Sequence, residues 1–443
     1  MLVILGLTIS AHAQIQWAKQ LTPETGWVAT GNQLFWTTDA GGTWKDITPP
    51  HAPKISTPLR GISAVFFLDS STGWVVMHSY DEKLNTGTNQ IFIASTNDAG
   101  ANWSYRRVSS PEMNRYNTEG STGLDGNAWL QFTDAQHGIM NLGLNTGSAF
   151  QAGVVSVATS DGGRTWADTD PAGDAVSGEL LFRTQNDGWI AGDGLFVTRD
   201  GGKTWRETVP PAPEKLAKET TIIYSLPIFP DKDHGFLAVE YDGLAGAEAV
   251  ILFSSHDGGR TWKQDKVLSS AELAKLLIQP LKNFIAVNSE WRTLAMEDHK
   301  LVLSSLSAAS PLASASVDVN LTYLYSVTFL DGFHGWALMG VQGDGPDQLL
   351  STPDGGVRWT IITPPPIKGN IVGHPPRLKT GPAIWKKPAD LLKTPSPLGS
   401  LQRKPLSAVF PRTMASSAKR NIEILDRLDR RFPDEETPGG PVN

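Results

Sequence analysis

Residues 188 to 205 read GWIAGDGLFVTRDGGKTW, two short apolar runs that are separated and closed by glycine-rich turns. The closing letters return as DGGRTW at 161 to 166 and again at 257 to 262. In strict or looser form, the pattern Thr/Ser, any residue, Asp, any residue, Gly, any residue, Thr, Trp occurs six times. Such self-similarity is typical of repeat architectures. We therefore expect one supersecondary unit to recur along most of the chain.

Each copy, which we call a box, carries an aspartate and, five positions later, a tryptophan. The pairs are Asp39 and Trp44, Asp98 and Trp103, Asp161 and Trp166, Asp200 and Trp205, Asp257 and Trp262, and Asp354 and Trp359. The aspartate can accept hydrogen bonds from backbone N–H groups two or three residues on, the glycine permits positive φ, and the tryptophan can fold back between units. We expect these residues to be structural.

A second signature precedes each box: a glycine followed by a large apolar residue that opens a strand, as in Gly73-Trp74. With residues 62 to 109 as the template, each unit contains four antiparallel strands. About seven such units predict an all-β fold, a single seven-bladed β-propeller of four-stranded antiparallel blades over residues 14 to 366.

One unit has no box. The last two box aspartates are 97 residues apart, and the segment between them contains Trp291 and two strand-like runs. We interpret residues 283 to 310 as a degenerate blade. Residues 269 to 284 before it predict a short helix packed on the ring, which Pro280 ends or kinks.

Composition limits the chemistry. The chain of 443 residues has 43 glycines, 30 prolines and 15 tryptophans, as expected for short strands and tight turns, and it has no cysteine. Disulfides, thiolate metal sites and cysteine nucleophiles are therefore excluded. The box aspartates lack the EF-hand ligand pattern, and His137, His234 and His334 occupy repeated turn positions, so we expect no metal and no cofactor.

The first residues, MLVILGLTISAHAQ, combine a short apolar run with a small-residue cleavage pattern. We interpret residues 1 to 13 as an export signal, and the alternative is a buried first strand. No other segment reaches the roughly 18 apolar residues that a membrane span needs. We expect an extracytoplasmic monomer, periplasmic or secreted, without a transmembrane span in the mature chain.

The composition changes at residue 367. The 77 residues that follow hold 11 prolines and a net charge of +7, which leaves −14 for the remainder. This favours a disordered, proline-rich basic tail, with one weak helix at 421 to 432. The helix could dock on the acidic ring, on a partner or on an anionic membrane, or the whole tail could be solvated. The acidic ring argues against nucleic acid as a partner.

The boxes resemble the Asp-box, or bacterial neuraminidase repeat, over roughly residues 15 to 362. The stretch at 188 to 205, and GWVATGNQLFWTTDAGGTW at 26 to 44, are closest in pattern to photosystem II assembly and stability factors, which are exported single propellers. This resemblance implies a non-catalytic protein-binding or assembly scaffold, with a protein, a membrane complex or a glycan as partner.

Enzymes with similar repeats supply the alternative, a glycan-binding or glycoside hydrolase propeller of sialidase-like or xyloglucanase-like type. A sialidase-like protein needs a Phe/Tyr-Arg-Ile-Pro motif, and neither PLRGI at 58 to 62 nor LFRTQ at 181 to 185 fits it. Xyloglucanase-like enzymes use a cleft between two propellers, whereas this chain is long enough for one. Sortilin-type receptors need cysteines.

Candidate binding residues lie in the connections opposite the boxes, where long insertions concentrate and function is common. The richest, from 104 to 127, offers arginine forks and amphipathic tyrosines that suit a carboxylate, a sugar or a protein surface. Its candidates are Tyr105, Arg106, Arg107, Arg115, Tyr116 and Glu119, and second candidates are Tyr80, Tyr241 and Asp242. The alternative is a solvated, variable loop, and we expect no catalytic residue among them.

Overall fold

The computed structural model describes most of the chain up to residue 363. The described ranges are 15–50, 59–80, 89–118, 123–145, 152–169, 178–192, 194–211, 213, 216, 220–243, 246–274, 280–287, 290–297, 300–306, 311–316, 321–341 and 347–363. The predicted export signal, the basic tail and its helix at 421 to 432 lie outside these residues.

Seven four-stranded antiparallel sheets form a ring, which confirms the predicted seven-bladed propeller. Blade 1 comprises β1 (Trp17–Gln20), β2 (Gly26–Ala29), β3 (Leu34–Thr37) and β4 (Lys45–Asp46). Blade 2 comprises β5 (Leu59–Phe67), β6 (Gly73–Tyr80), β7 (Asn89–Thr96) and β8 (Ser104–Arg107). Blade 3 comprises β9 (Gly123–Phe132), β10 (Gly138–Asn145), β11 (Ala152–Thr159) and β12 (Ala167–Asp168).

The remaining blades repeat this order. Blade 4 comprises β13 (Gly178–Phe182), β14 (Gly188–Gly192), β15 (Leu195–Thr198) and β16 (Arg206–Glu207). Blade 5 comprises β17 (Thr221–Tyr224), β18 (Gly235–Gly243), β19 (Gly246–Ser255) and β20 (Lys263–Ser269). Blade 6 comprises β21 (Phe284–Val287), β22 (Glu290–Glu297), β23 (Lys300–Ser305) and β24 (Pro311–Ser316). Blade 7 comprises β25 (Leu321–Phe329), β26 (Gly335–Val341), β27 (Gln348–Thr352) and β28 (Thr360–Ile362).

Helices are few among the described residues. Helix α1 (Pro111–Thr118) follows blade 2, and α2 (Ser270–Leu273) follows blade 5. A 3₁₀ helix (Pro280–Asn283) leads into blade 6. The helix predicted over 269 to 284 is thus described only at its two ends. Ser269 starts α2 through its backbone N–H, which donates to the Glu272 carboxylate at 2.8 Å.

Each box forms the turn between the third and fourth strands of its blade, as blade 4 illustrates. Asp200 Oδ1 accepts the Thr204 backbone N–H at 2.9 Å, four residues on, and in blade 5 the Asp257 carboxylate also accepts the Arg260 N–H, three residues on as expected, at 2.9 Å. Two successive residues of positive φ, Gly201 at 77° and Gly202 at 86°, produce this longer turn. The Thr204 hydroxyl is the main group that lowers the pKa of Asp200, to about 2.

The boxes also fasten each blade to the one before it. A Cβ placed on the glycine two positions after the box aspartate would meet a side chain of the preceding blade in every copy. These glycines and their neighbours are Gly41 with Ile362, Gly100 with Ile47, Gly163 with Ile93, Gly202 with Ile139, Gly259 with Trp189 and Gly356 with Leu303. The box is therefore an interblade contact as well as a turn.

The ring closes by packing of sheet faces. Blades 1 and 7 each consist of four consecutive strands, so within residues 15–363 as described no strand is exchanged between the two ends. Trp44 Nε1 donates to the Thr363 carbonyl at 2.9 Å, and the Trp44 ring meets Trp336 edge-on at 6.3 Å. Ile15 is buried in the same cluster. The first box thus joins blade 1 to blade 7, at the junction that we call the seam.

Blade 6 departs from the repeat. Five residues, 306 to 310, join its third and fourth strands, whereas each box turn has seven. Those five residues include neither aspartate nor tryptophan. Trp291 instead turns toward blade 5, where it packs edge-on against Phe236 with ring centroids 5.2 Å apart. At the junction between blades 5 and 6, aromatic packing of Trp291 therefore takes the place of the box contact.

Candidate functional site

Strand direction separates two faces of the ring. The box turns touch the turns between first and second strands, as shown by the Ala99 N–H, which donates to the Ser71 carbonyl at 2.9 Å. We call this side the box face. The second-to-third strand connections and the blade-to-blade connections emerge on the opposite side, which we call the loop face.

The predicted candidates on β8 lie at the outer edge of blade 2. Tyr105 donates its hydroxyl hydrogen bond to the Pro50 carbonyl, and burial raises its pKa to about 12. Arg106 and Arg107 are exposed, and Arg106 Nη1 donates to the Tyr105 carbonyl at 2.7 Å. Tyr105 thus ties blade 2 to the end of blade 1, while the two arginines face solvent.

Helix α1 carries the next two candidates, Arg115 and Tyr116, whose side chains lie outside the described set, as does that of Tyr80. Glu119 lies outside the described residues altogether. The helix itself is anchored, because Met113 is buried in the core between blades 2 and 3. The Glu112 backbone N–H also donates to Asp168 at 3.0 Å. This places the helix at the outer rim.

Tyr241 and Asp242 have different environments although they are adjacent. Tyr241 is only 2% exposed and packs with Trp189 and Tyr224 between blades 4 and 5. Burial raises its pKa to about 12. Asp242 lies on the other face of β18 and is partly exposed. Tyr241 therefore supports the sheet from behind, and Asp242 is the residue that a ligand can reach.

Glu240 is the residue that the sequence analysis missed. It lies two positions before Asp242 on β18, so both side chains project from the same face of the strand, toward blade 6. Burial raises the pKa of Glu240 to about 7, and the charge of Asp242 contributes to the shift. Burial also raises the pKa of Asp242. A visible signal was available, because Glu240 interrupts the apolar run FLAVEY.

A β-bulge ends the strand pair that carries these carboxyls. Tyr241 pairs with Ala249 and Asp242 with Ala247, which leaves Glu248 unpaired on β19. A Cβ on Gly243 would collide with the Glu248 carboxylate, so the latter lies over Gly243. Bulges commonly re-aim side chains beside functional sites. A third carboxylate therefore lies at this end of the sheet, on the side of Gly243.

The 3₁₀ helix covers the same region from blade 6. It contacts β18 and β19 of blade 5 and β25 of blade 7. Its Lys282 Nζ lies 2.9 Å from Glu179 Oε1, on the first strand of blade 4. Blades 4 and 6 are not neighbours, so this ion pair joins two blades that are separated by blade 5. The ion pair thus links the two blades that flank the strand carrying Glu240 and Asp242.

The arrangement suits proton transfer more than metal binding. Among the described residues, no group of three or more His, Asp or Glu side chains is placed to hold a metal ion. A carboxyl with a pKa near neutrality can donate a proton at pH 7, and a second carboxyl nearby is the usual partner in glycoside cleavage.

Among the residues that the structure describes, no helix is long and apolar enough to cross a bilayer.

The fold and these two carboxyls define the chain as a seven-bladed β-propeller with a candidate acid/base site on its loop face. No protein-family model matches the sequence. A search of curated proteins likewise finds no match.

Several solved structures are similar in fold. One is the GH93 α-L-arabinofuranosidase of Fusarium graminearum with arabinobiose, at 12% identity and TM-score 0.40, covering 77% of this chain and 94% of that one. Another is the Penicillium chrysogenum α-L-arabinanase with arabinobiose, at 12% identity and TM-score 0.38, covering 78% and 94%. A PL25 ulvan lyase has 10% identity and TM-score 0.42, covering 67% and 81%. At these identities and scores, function must be argued from this chain's own residues.

Proposed function

We propose that the protein is a glycan-cleaving propeller in which Glu240 is the proton donor and Asp242 the second carboxyl. The observation that carries this proposal is the half-buried Glu240, whose pKa is raised to about 7 by burial and by Asp242. A carboxylic acid that keeps its proton near neutral pH suits protonation of a leaving oxygen. Function of this kind also suits the export predicted from residues 1 to 13.

In the proposed reaction, Glu240 protonates the glycosidic oxygen as its bond to the anomeric carbon breaks. The leaving sugar departs as an alcohol, and a water molecule ultimately supplies the new hydroxyl at the anomeric carbon. Asp242 either deprotonates that water directly or first attacks the anomeric carbon itself, and the separation of the two carboxyls decides between these routes. The anomeric configuration of the first product, read by proton NMR, distinguishes them.

The substitution Glu240→Gln tests the assignment directly. The amide keeps the shape of the side chain but has no acidic proton, so we expect hydrolysis to fall about 100- to 10,000-fold. Arabinan, xyloglucan and ulvan, with release of reducing sugar as the readout, make a first panel. Glu207→Gln is the matched control, because Glu207 is an exposed carboxylate on the outer strand of blade 4. Full activity in Glu240→Gln would exclude Glu240 as the acid.

The pH profile provides an independent test. The proton donor must be protonated in the free protein, so kcat/KM should decline as pH rises through about 7. Substrates with leaving groups of low pKa, such as nitrophenyl glycosides, need less protonation and should show a weaker decline. A profile that is flat between pH 6 and 8 on natural glycans would contradict the role given to Glu240.

Protein binding remains a second candidate, which an apolar patch on the box face of blade 7 favours. Phe333 is 63% exposed and Val357 52% exposed. The Phe333 position holds a polar residue in the other five blades that have a box, for example Gln136 and Asn186. Such patches commonly mark interaction surfaces. If every glycan in the panel is inert, a Phe333→Ser variant used in affinity capture tests this scaffold function.

A further inference from the structure

A cleft of about 360 Å³ opens on the box face between blades 5 and 6. Phe236 and Trp291 form its apolar wall, and the polar groups around it include Asp265, Lys266 and Glu290. Its volume falls within the range of about 300–1,000 Å³ that is usual for small-ligand sites. It lies at the opposite end of blade 5 from Glu240, because β18 begins at Gly235 on the box face and passes Glu240 near its far end.

The cleft exists because blade 6 has no box. At the other junctions that the structure describes, a box turn and its tryptophan cover the outer part of the preceding blade. Here the connecting turn has five residues instead of seven and contributes no indole. Trp291 fills part of the space against Phe236, and the remainder stays open. The opening is thus a specific departure from an otherwise regular ring.

Asp265 is presented to this cleft by a second departure. Phe253 pairs with Gln264 and Leu252 with Lys266, so Asp265 is the unpaired residue of a β-bulge on the outer strand β20. Ser254 donates its hydroxyl hydrogen bond to Asp265 at 2.8 Å, and Trp291 Nε1 donates to the other carboxylate oxygen at 3.3 Å. These two donors fix the carboxylate in place.

The corresponding position is apolar in two of the other blades that have a box and polar in three. Three residues after their box tryptophans, blades 1 and 7 carry Ile47 and Ile362, each of which packs against the next box. In blade 5 the same position is Asp265. Asp265 therefore places an oriented hydrogen-bond acceptor at the one described junction where no box covers this position.

We propose that this cleft is a non-catalytic binding site for a neutral sugar unit. Its rim carries both charge signs, Asp265 and Glu290 against Lys266, and also the imidazoles of His234 and His256, whose ring nitrogens can donate to or accept from hydroxyl groups. An anionic ligand would meet the two carboxylates and a cationic ligand would meet the ammonium, whereas neutral hydroxyl groups can both donate to carboxylates and accept from the lysine. The apolar wall suits the carbon face of a sugar ring.

The ligand class rests on the proposed glycan function, but the site does not depend on Glu240. If the protein cleaves a polysaccharide, a sugar site on the opposite face would hold the polymer and raise its local concentration near the acid/base site. If no glycan is cleaved, the same cleft would serve a purely glycan-binding propeller. An experiment can therefore refute glycan cleavage by Glu240 without refuting sugar binding in the cleft, and the reverse.

Binding is measured on the full chain carrying Glu240→Gln, so that hydrolysis does not consume the probe. Calorimetry and saturation-transfer NMR with arabinobiose, xyloglucan heptasaccharide and cellotetraose supply neutral probes, while a sulfated ulvan oligosaccharide and argininamide supply charged ones. We expect a neutral probe to bind, and Glu290→Gln together with Asp265→Asn to weaken it at least tenfold. Glu207→Gln is again the control on an outer strand.

Several results would overturn the proposal. Binding only of a charged probe would exclude a neutral sugar, and neutral binding that survives both substitutions would place the sugar elsewhere. Asp265 accepts hydrogen bonds from Ser254 and Trp291, so Asp265→Asn can also disturb the local structure. Two further variants are therefore tested: Glu290→Gln alone, and Leu306→Phe, whose larger side chain fills the cleft from its wall. A folded Leu306→Phe variant with unchanged affinity would exclude the cleft as the site.

Discussion

At the residue scale, the decisive feature is a carboxyl in an apolar setting. Glu240 follows Leu237, Ala238 and Val239 on β18, all three of which are buried. A carboxylate in such a place loses hydration, so the protonated form is favoured and the pKa rises. The aspartates of the boxes show the opposite effect, since the Asn102 and Thr165 side chains lead the hydrogen bonds that lower the pKa of Asp98 and Asp161 to about 2.

The shift at Glu240 links stability to pH. Because its folded pKa of about 7 exceeds the ordinary value of 4.5, Glu240 favours the folded state below pH 4.5 and loses that contribution as pH rises through 7. Its partial exposure keeps the effect on the order of 2 kcal/mol. We expect Glu240→Gln to gain stability relative to the natural chain between pH 4 and pH 8, measured by calorimetry. Parallel stability curves would contradict this.

Substitutions at two box positions should change the free energy of unfolding in opposite directions. Ala99 occupies a left-handed conformation with φ of 56°, where the other copies in blades 3 to 5 and 7 use glycine, such as Gly201 with φ of 77°. Gly201→Ala should lower the free energy of unfolding by about 1–2 kcal/mol, since its Cβ would also lie 2.9 Å from the Gln185 carbonyl. Ala99→Gly should raise it by less than about 1 kcal/mol, because glycine also frees the unfolded chain. Urea titration measures both, and a shared sign would refute the strain argument.

At the element scale, the box is the unit that holds one blade to the next. It combines a seven-residue turn, an aspartate that organises the turn, and an indole between the blades. Trp103 Nε1, for example, donates to the Ile47 carbonyl of the preceding blade at 3.0 Å. Blade 6 is attached without this element, so its outer strands depend on Trp291 and on pairing within their own sheet.

Because blade 6 lacks a box, its outer strand should separate from the sheet more often than the outer strand of a blade that has one. We expect the backbone amides of β24, the outer strand of blade 6, to exchange with deuterium faster than those of β28, the outer strand of blade 7. Both are described outer strands, but β28 follows a box that contacts Leu303. Hydrogen exchange with mass spectrometry compares them in one sample. Equal protection of the two strands would mean that the box contributes little to fastening.

At the scale of the whole molecule, the ring depends on one seam between its first and last blades. Trp44, Ile15 and Trp336 form that seam, and the bond from Trp44 to Thr363 joins residues 319 positions apart. Neighbouring blades elsewhere are also tied by the chain itself. The seam is held by noncovalent contacts without a connecting segment of chain, so it is the junction at which loss of a contact can open the ring.

The comparison of Trp44→Ala with Trp103→Ala tests this idea. Each removes a box indole and its hydrogen bond to the preceding blade, and each should cost about 3 kcal/mol. Only Trp44→Ala should also expose blades 1 and 7 to proteases under native conditions. Limited proteolysis with identification of the first cuts is the measurement. Identical cleavage patterns for the two variants would contradict a special role for the seam.

The sequence predicted the fold far better than the site. Box letters at fixed spacing specify turns, and turns at regular intervals specify blades, so local information was sufficient. Glu240 was missed because its burial depends on the 3₁₀ helix and the next blade, which are remote in sequence. Tyr241 is a buried core residue for the same reason, since adjacency to Asp242 does not tell which face each side chain takes. The cleft arises where blade 6 lacks a box, and the sequence does not tell which neighbouring side chains fill that space and which part of it stays open.

The use of four consecutive strands in every blade has a consequence for biosynthesis. Residues emerge during translation at roughly 5–20 per second, whereas a hairpin forms in roughly microseconds, so each blade can pair its strands before the next has been made. The exception is Trp44, which must wait for Thr363, 319 residues later. Until the last codons of blade 7 are read, the nascent chain carries an open arc whose leading edge is an exposed indole, and chaperones that recognise aromatic surface should engage blade 1 first.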